Sequence, residues 1–257
     1  MRFGNLLRVL QLLVLTVLTS SPLMGQVILE DFEDGSITDG SPANWKRYGP
    51  PFDKGDVIIQ NGSLVITPPT SGTPSPNDPN TWETDVYLQD RTYHDVNILT
   101  QVRALGDFPT AIGINAIDTD AVNYPGGSGV FGLLVNDGPD RYLDLSYSIG
   151  TSGGTFGQVD TDLILFDTEV NMRLTIQGEQ VTFTVWEVAS PEPAPQFVRQ
   201  LPSALRNHFG YMGLYSIGRN QPAPAAFRYV TIVPEPTTGG LGLACGLAVL
   251  CRGRRRR

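Results

Sequence analysis

The chain has 257 residues, with 18 lysines and arginines against 26 aspartates and glutamates and a formal net charge of −8. The positive charge is lopsided: Arg2, Arg8 and the five arginines between 252 and 257 leave 11 basic against 25 acidic residues for 26–233, a net charge of about −14. Such a body excludes nucleic acid and anionic membrane surfaces as partners, and with both cysteines at 245 and 251 it has neither a disulfide nor thiol chemistry.

In chain order, Arg2 and Arg8 accompany an apolar run from Val9 to Leu18, followed by small residues up to Gly25. The run is too short to span a bilayer and has the layout of a secretory signal peptide over 1–25. Export through the Sec pathway and a mature start near Gln26 are expected. The stretch 26–233 has the length of one well-cored all-β domain. Its first strand is expected over Val27–Phe32. "DVIIQNGSLVITPP" (56–69) places two β-branched runs around Asn61-Gly62, the strongest short hairpin signal. The Pro-rich stretch 68–80 reads as a surface loop.

Further strands are expected at Trp82–Leu88, Val96–Leu105, Ala111–Ile117, Val130–Val135 and Tyr142–Ile149. "VNMRLTIQGEQVTFTVWEV" (170–188) forms a second hairpin turning at Gln177-Gly178-Glu179, and strands at Tyr211–Ile217 and Phe227–Val233 complete the set. The alternation assigns faces. Val181, Phe183 and Val185 oppose Thr182, Thr184 and Trp186; Met172, Leu174 and Ile176 oppose Asn171, Arg173 and Thr175. Each strand buries one side and wets the other, as in a two-sheet antiparallel sandwich.

The opening "ILEDFEDGS", the "NGSLVI" hairpin, the closing "FRYVTIV" and the middle stretch 114–147 resemble the concanavalin A-like, laminin-G-like jelly rolls. The resemblance implies a two-sheet jelly roll over 26–233, often carbohydrate-binding and sometimes calcium-loaded.

The tail has a different character. Pro234-Glu235-Pro236 precedes the apolar run Gly239–Cys251, which as a helix covers about 20 Å against roughly 30 Å of hydrocarbon. Arg252 and Arg254, Arg255, Arg256 and Arg257 then stay on the cytoplasmic side. This order over 234–257 resembles the PEP-CTERM sorting signal of exported bacterial proteins. It implies an exosortase-type protease as a processing partner and transient membrane anchoring. Pro191-Glu192-Pro193 repeats the triplet without the run or the arginines, and reads as a loop.

Candidate chemistry is sparse. Trp82-Glu83-Thr84-Asp85 begins like the E-x-D-x-x-E strand of laminarinase-like glycosidases, but the third acid's place holds Leu88, and a retaining glycosidase needs its two carboxyls close together. Gly150-Thr151-Ser152-Gly153-Gly154 matches a nucleophile elbow in letters only, since no helix follows. His94 and His208, far apart in sequence, give zinc or a serine hydrolase little support. Glu30, Asp31 and Glu33 make calcium the candidate ion, although Arg228 stands where the jelly-roll resemblance places an aspartate, and a salt bridge from it to Glu33 or Asp31 is expected to replace the ion. For sugar binding, Trp186, Arg173, Asn115 and Arg103 fall on outward strand phases and Tyr124 lies in a Gly-rich loop. Trp186 is expected to be exposed. The expected protein is non-enzymatic and binds or organises extracellular polysaccharide at the cell surface or in a matrix. The alternatives are a glycan-active hydrolase or lyase and a ligand-free structural matrix component.

Overall fold

A computed structural model describes residues 27–37, 44–48, 55–69, 81–88, 91–106, 110–118, 128–137, 139–150, 152–163, 168–219 and 224–234. The expected signal peptide (1–25), Tyr124, most of the Pro-rich stretch and the tail from Glu235 onward, with Pro236 and the terminal arginines, lie outside the described residues.

In chain order the strands are β1 (Ile28–Glu30), β2 (Trp45–Tyr48), β3 (Asp56–Ile59), β4 (Leu64–Thr67), β5 (Thr81–Leu88), β6 (Val96–Ala104), β7 (Thr110–Asp118) and β8 (Gly129–Asp137). They continue as β9 (Asp140–Ile149), β10 (Ser152–Asp160), β11 (Val170–Gln177), β12 (Gln180–Glu187), β13 (Phe197–Gln200), β14 (Tyr211–Arg219) and β15 (Ala225–Pro234). Among the described residues there is no helix. Sheet A runs β13-β12-β11-β6-β15-β4-β3, with β1 also paired to β15; sheet B runs β10-β9-β8-β7-β14-β5-β2. Every pairing is antiparallel. The expected all-β, two-sheet sandwich is the observed architecture.

The core fills the gap between the sheets. Ile98, Leu174, Phe183, Phe227 and Ile232 enter it from sheet A; Ile112, Ile114, Leu134, Leu145 and Leu214 enter it from sheet B, all fully buried. Their spacing of two follows from the strand pleat. The Asn61-Gly62 turn has φ of 54° and 65° at its two central residues, the left-handed pair that a tight hairpin requires. Gln60 and Ser63 exchange two backbone hydrogen bonds of 2.9 and 3.2 Å across it. The second hairpin turns at Gly178-Glu179, with Gln177 opposite Gln180.

β15 extends through Pro234, which stands opposite Val96, so the first residue of the Pro-Glu-Pro triplet belongs to the sheet. β15 also bulges between Phe227 and Tyr229, which turns Arg228 out to solvent. β1 contributes a buried acid: Glu30 accepts hydrogen bonds from the Phe32 backbone N–H (3.0 Å) and the Trp45 indole (3.2 Å). Burial pushes its pKa up, against the pull of those two bonds.

Because Phe32 and Trp45 are themselves buried, Glu30→Ala strands two donors at once. Urea unfolding is expected to show a loss of roughly 1–3 kcal/mol per stranded group. Glu30→Gln, which keeps an acceptor, is expected to lose distinctly less.

Candidate functional site

On β5, Thr84, Val86 and Leu88 enter the core, so Asp85 and Tyr87 face away from it. The same alternation turns Gly213, Tyr215 and Ile217 of β14 outward, with Ala111, Gly113 and Asn115 of β7 and Phe131, Leu133 and Val135 of β8. On β9 the outward residues are Tyr142, Asp144, Ser146 and Ser148.

The strand register sorts these into rows across sheet B. One row reads Asp85, Tyr215, Gly113, Leu133, Asp144, Gln158. The next reads Lys46, Tyr87, Gly213, Asn115, Phe131, Ser146, Thr155. Two glycines thus occupy diagonal positions on neighbouring strands. A Cβ at Gly113 would stand 2.2 Å from Cζ of Tyr215, and one at Gly213 would stand 2.4 Å from Oδ1 of Asn115. The tyrosine ring and the amide therefore lie flat over their neighbours' backbones.

Aromatic contacts extend this floor. Phe131 meets Tyr215 edge-on at 6.4 Å between centroids, and Tyr87 meets Tyr211 at 5.5 Å. Tyr215, Tyr87 and Asn115 are buried, while Asp85, Tyr211, Phe131 and Leu133 are half-buried at the surface. At the other side of the face, Asp144 accepts a hydrogen bond from Thr155 (3.1 Å). Burial pushes the Asp144 pKa up; Ser146, Thr155 and Gln158 pull it back. Flat apolar rings beside fixed hydrogen-bonding groups are what a pyranose needs: C–H faces to stack and hydroxyls to satisfy.

Sequence reasoning brought only Asn115 to this face. Trp186, Arg173 and Arg103 share the outward phase, but on sheet A, at the opposite surface of the sandwich. Arg103 is exposed there. Trp186 is not exposed as expected: only 8 % of it is accessible. The Arg173 guanidinium lies 6.0 Å from the centroid of its ring and is held by Glu192 at 2.8 and 3.0 Å and by Asn97 at 2.8 Å. The second Pro-Glu-Pro triplet supplies that glutamate. Gln196 fastens the same segment by bonding both the N–H and the C=O of Val185 (3.0 and 2.8 Å).

The calcium set does not converge. Glu30 points inward with both carboxylate oxygens occupied. Asp31 is exposed and accepts from its neighbour's N–H, that of Glu33 (3.2 Å), while the Glu33 carboxylate lies against the turn at Gly62. Among the described residues no group of three His, Cys, Asp or Glu side chains is placed to hold a metal. The residues present do not fit the ion. Arg228 does not pair with Glu33 or Asp31 either: the bulge sends it to Glu169, at 3.5 Å.

The remaining sequence candidates also find their places. Leu88, where a third acid was sought, is buried opposite Trp45. Ser152 begins β10, so the elbow-like letters are a turn running into a strand. The two histidines, distant in sequence, meet. His94 bonds Asp95 (2.6 Å) and the Arg206 carbonyl, Asp95 accepts from Gly178 N–H (2.9 Å), and Phe209 packs on the His94 ring. This cluster ties the loop before β6 to the segment before β14 through the Tyr93–Gly210 bridge.

No protein-family model matches the chain, and no curated protein matches it by sequence. Solved structures do match in three dimensions. A prokaryotic β-1,3-1,4-glucanase (lichenase) derived from a mouse hindgut metagenome superposes with a TM-score of 0.58 at 11% identity, covering 82% of this chain and all (100%) of its own. The carbohydrate-binding module CBM66 from Bacillus subtilis gives 0.52 at 10% identity, covering 74% of this chain and 94% of its own. The exoplasmic/lumenal domain of VIP36, in its Ca2+/Man3GlcNAc-bound form, gives 0.52 at 12%, covering 74% and 84%. The fold is a jelly roll. At these identities the likeness is one of fold.

The histidine cluster generates a pH dependence. Burial, then the neighbouring His94, holds the His208 pKa below its usual value. The unfolded chain therefore binds that proton more tightly than the folded one, so stability present above the unfolded pKa is lost as pH falls through the folded one. Lowering the pH from about 7 to about 5 is expected to lower the melting temperature more for the native chain than for His208→Gln. Equal drops would remove His208 from the effect.

Proposed function

We propose that this is an exported, non-enzymatic carbohydrate-binding protein whose glycan lies across the outer face of sheet B. The observation that carries the reading is the half-buried set Phe131, Leu133, Tyr211 and Asp85 on this face, seated on the buried Tyr215 and Asn115 that lie flat over Gly113 and Gly213. A side chain on either glycine would lift the ring or the amide and roughen the surface. The β-1,3-1,4-glucanase, the carbohydrate-binding module and the Man3GlcNAc-bound VIP36 domain that share the fold add support.

Binding rather than hydrolysis is favoured by the carboxylates. Asp85 and Asp144 lie in one row but four strand steps apart, roughly 19 Å along the sheet. Paired glycosidase acids stand about 5–9.5 Å apart. The place of the third acid of the glycosidase strand is held by the buried Leu88. The arginine-terminated tail and the Pro-Glu-Pro triplet support delivery to the cell surface or an extracellular matrix with processing by an exosortase-type protease.

Affinity electrophoresis in mixed-linkage β-glucan, with a reducing-sugar assay alongside, tests the reading. Tyr211→Ala and Phe131→Ala are expected to weaken retention about tenfold or more, on the scale of about 1–3 kcal/mol that losing an aromatic beneath a stacked nucleic-acid base costs. Release of reducing ends by the native chain would move the assignment to a hydrolase. Retention by none of a panel of polysaccharides would leave a purely structural protein.

A further inference from the structure

We infer that the sheet B face selects uncharged glycans and rejects polysaccharides bearing carboxylate or sulfate groups. The inference rests on the glycan-binding reading above and deepens it. Its basis is the sign of the charge that the strand register places on the face. Asp85 stands beside Tyr215 in the central row, and Asp144 closes that row at the other side. Asp160 lies opposite Tyr142 on the same phase.

Among the residues whose side chains are described, the cation on this phase is Lys46, on the edge strand β2. It is not adjacent in the register to Phe131 or Leu133, the half-buried residues on which a sugar ring would stack. The arginines that sequence reasoning assigned to sugar binding, Arg173 and Arg103, are on the other sheet. Recognition of sulfate or carboxylate calls for an Arg fork or a Lys ammonium at the contact, and here the contact offers an amide, phenols and carboxylates. A uronate lying on the floor would bring its own carboxylate against Asp85 in a partly desolvated setting, where like charges repel more strongly than in water. The acidic body, about −14 over 26–233, adds a long-range repulsion of the same sign.

Native gels containing mixed-linkage β-glucan or polygalacturonate at equal mass distinguish the outcomes, with a non-binding acidic protein as the mobility standard. The full mature chain is expected to be retained by the neutral polymer and at least tenfold less by the acidic one. Asp85→Asn is expected to narrow that ratio, and so is raising the salt to about 1 M, where the screening length is about 3 Å. Equal or stronger retention by polygalacturonate would overturn the charge selection while leaving glycan binding in place. A ratio that neither Asp85→Asn nor salt narrows would overturn the electrostatic basis. Retention by neither polymer, nor by other neutral glycans, would overturn both.

Discussion

Only every second side chain of a strand can enter the gap of about 10 Å between two stacked sheets. Everything else in this molecule follows from that restriction. The fifteen strands among the described residues share a core built from one phase, which leaves two outer surfaces to be dealt with. Their treatment differs. Sheet A closes its outer face with its own groups: Arg173 is clamped over Trp186 by Glu192, Gln101 bonds Glu169, and the Tyr229 hydroxyl donates to Asn171 at 3.2 Å. Sheet B keeps small residues at Gly113 and Gly213 and lays Tyr215 and Asn115 into the space. On that face Phe131, Leu133 and Tyr211 are half-buried at the surface, with Asp85 beside Tyr215.

The strands with strong alternation were readable from the residues alone because burial of one phase writes period two directly into the sequence. The hairpins at 61–62 and 178–179 were equally plain, since Asn61 and Gly62 both adopt the left-handed conformation and Gly178 adopts it in the second turn. The strands that sequence reasoning missed are those without the signal. β2 is four residues of Trp, Lys, Arg and Tyr; β10 is a glycine-rich and largely exposed edge; β13 buries only Phe197.

The site was harder to see for a different reason. Alternation gives the phase of a residue but not the sheet its strand joins. Trp186, Arg173, Arg103 and Asn115 were all correctly given an outward phase, yet β6 and β7, consecutive in sequence, enter different sheets. That choice depends on pairing with β11, β14 and β15, far along the chain. A signal for the proposed floor was present in the outward phases of β7 and β14: glycine where a polar residue would be usual, flanked by Asn115 and Tyr215. The expected salt bridge from Arg228 to Glu33 or Asp31 failed on the bulge at Arg228, and Glu30 turns inward away from Asp31 and Glu33; neither feature is encoded in composition or spacing.

The central claim is that sheet B, not sheet A, presents the ligand face. Its most direct test is an amide chemical-shift titration of the isotope-labelled domain with a neutral β-glucan oligosaccharide. Shifts confined to the rows containing Asp85, Tyr215, Asn115 and Phe131 are the predicted result. Shifts concentrated around Trp186, Arg173 and Arg103, with the sheet B rows unmoved, would contradict it.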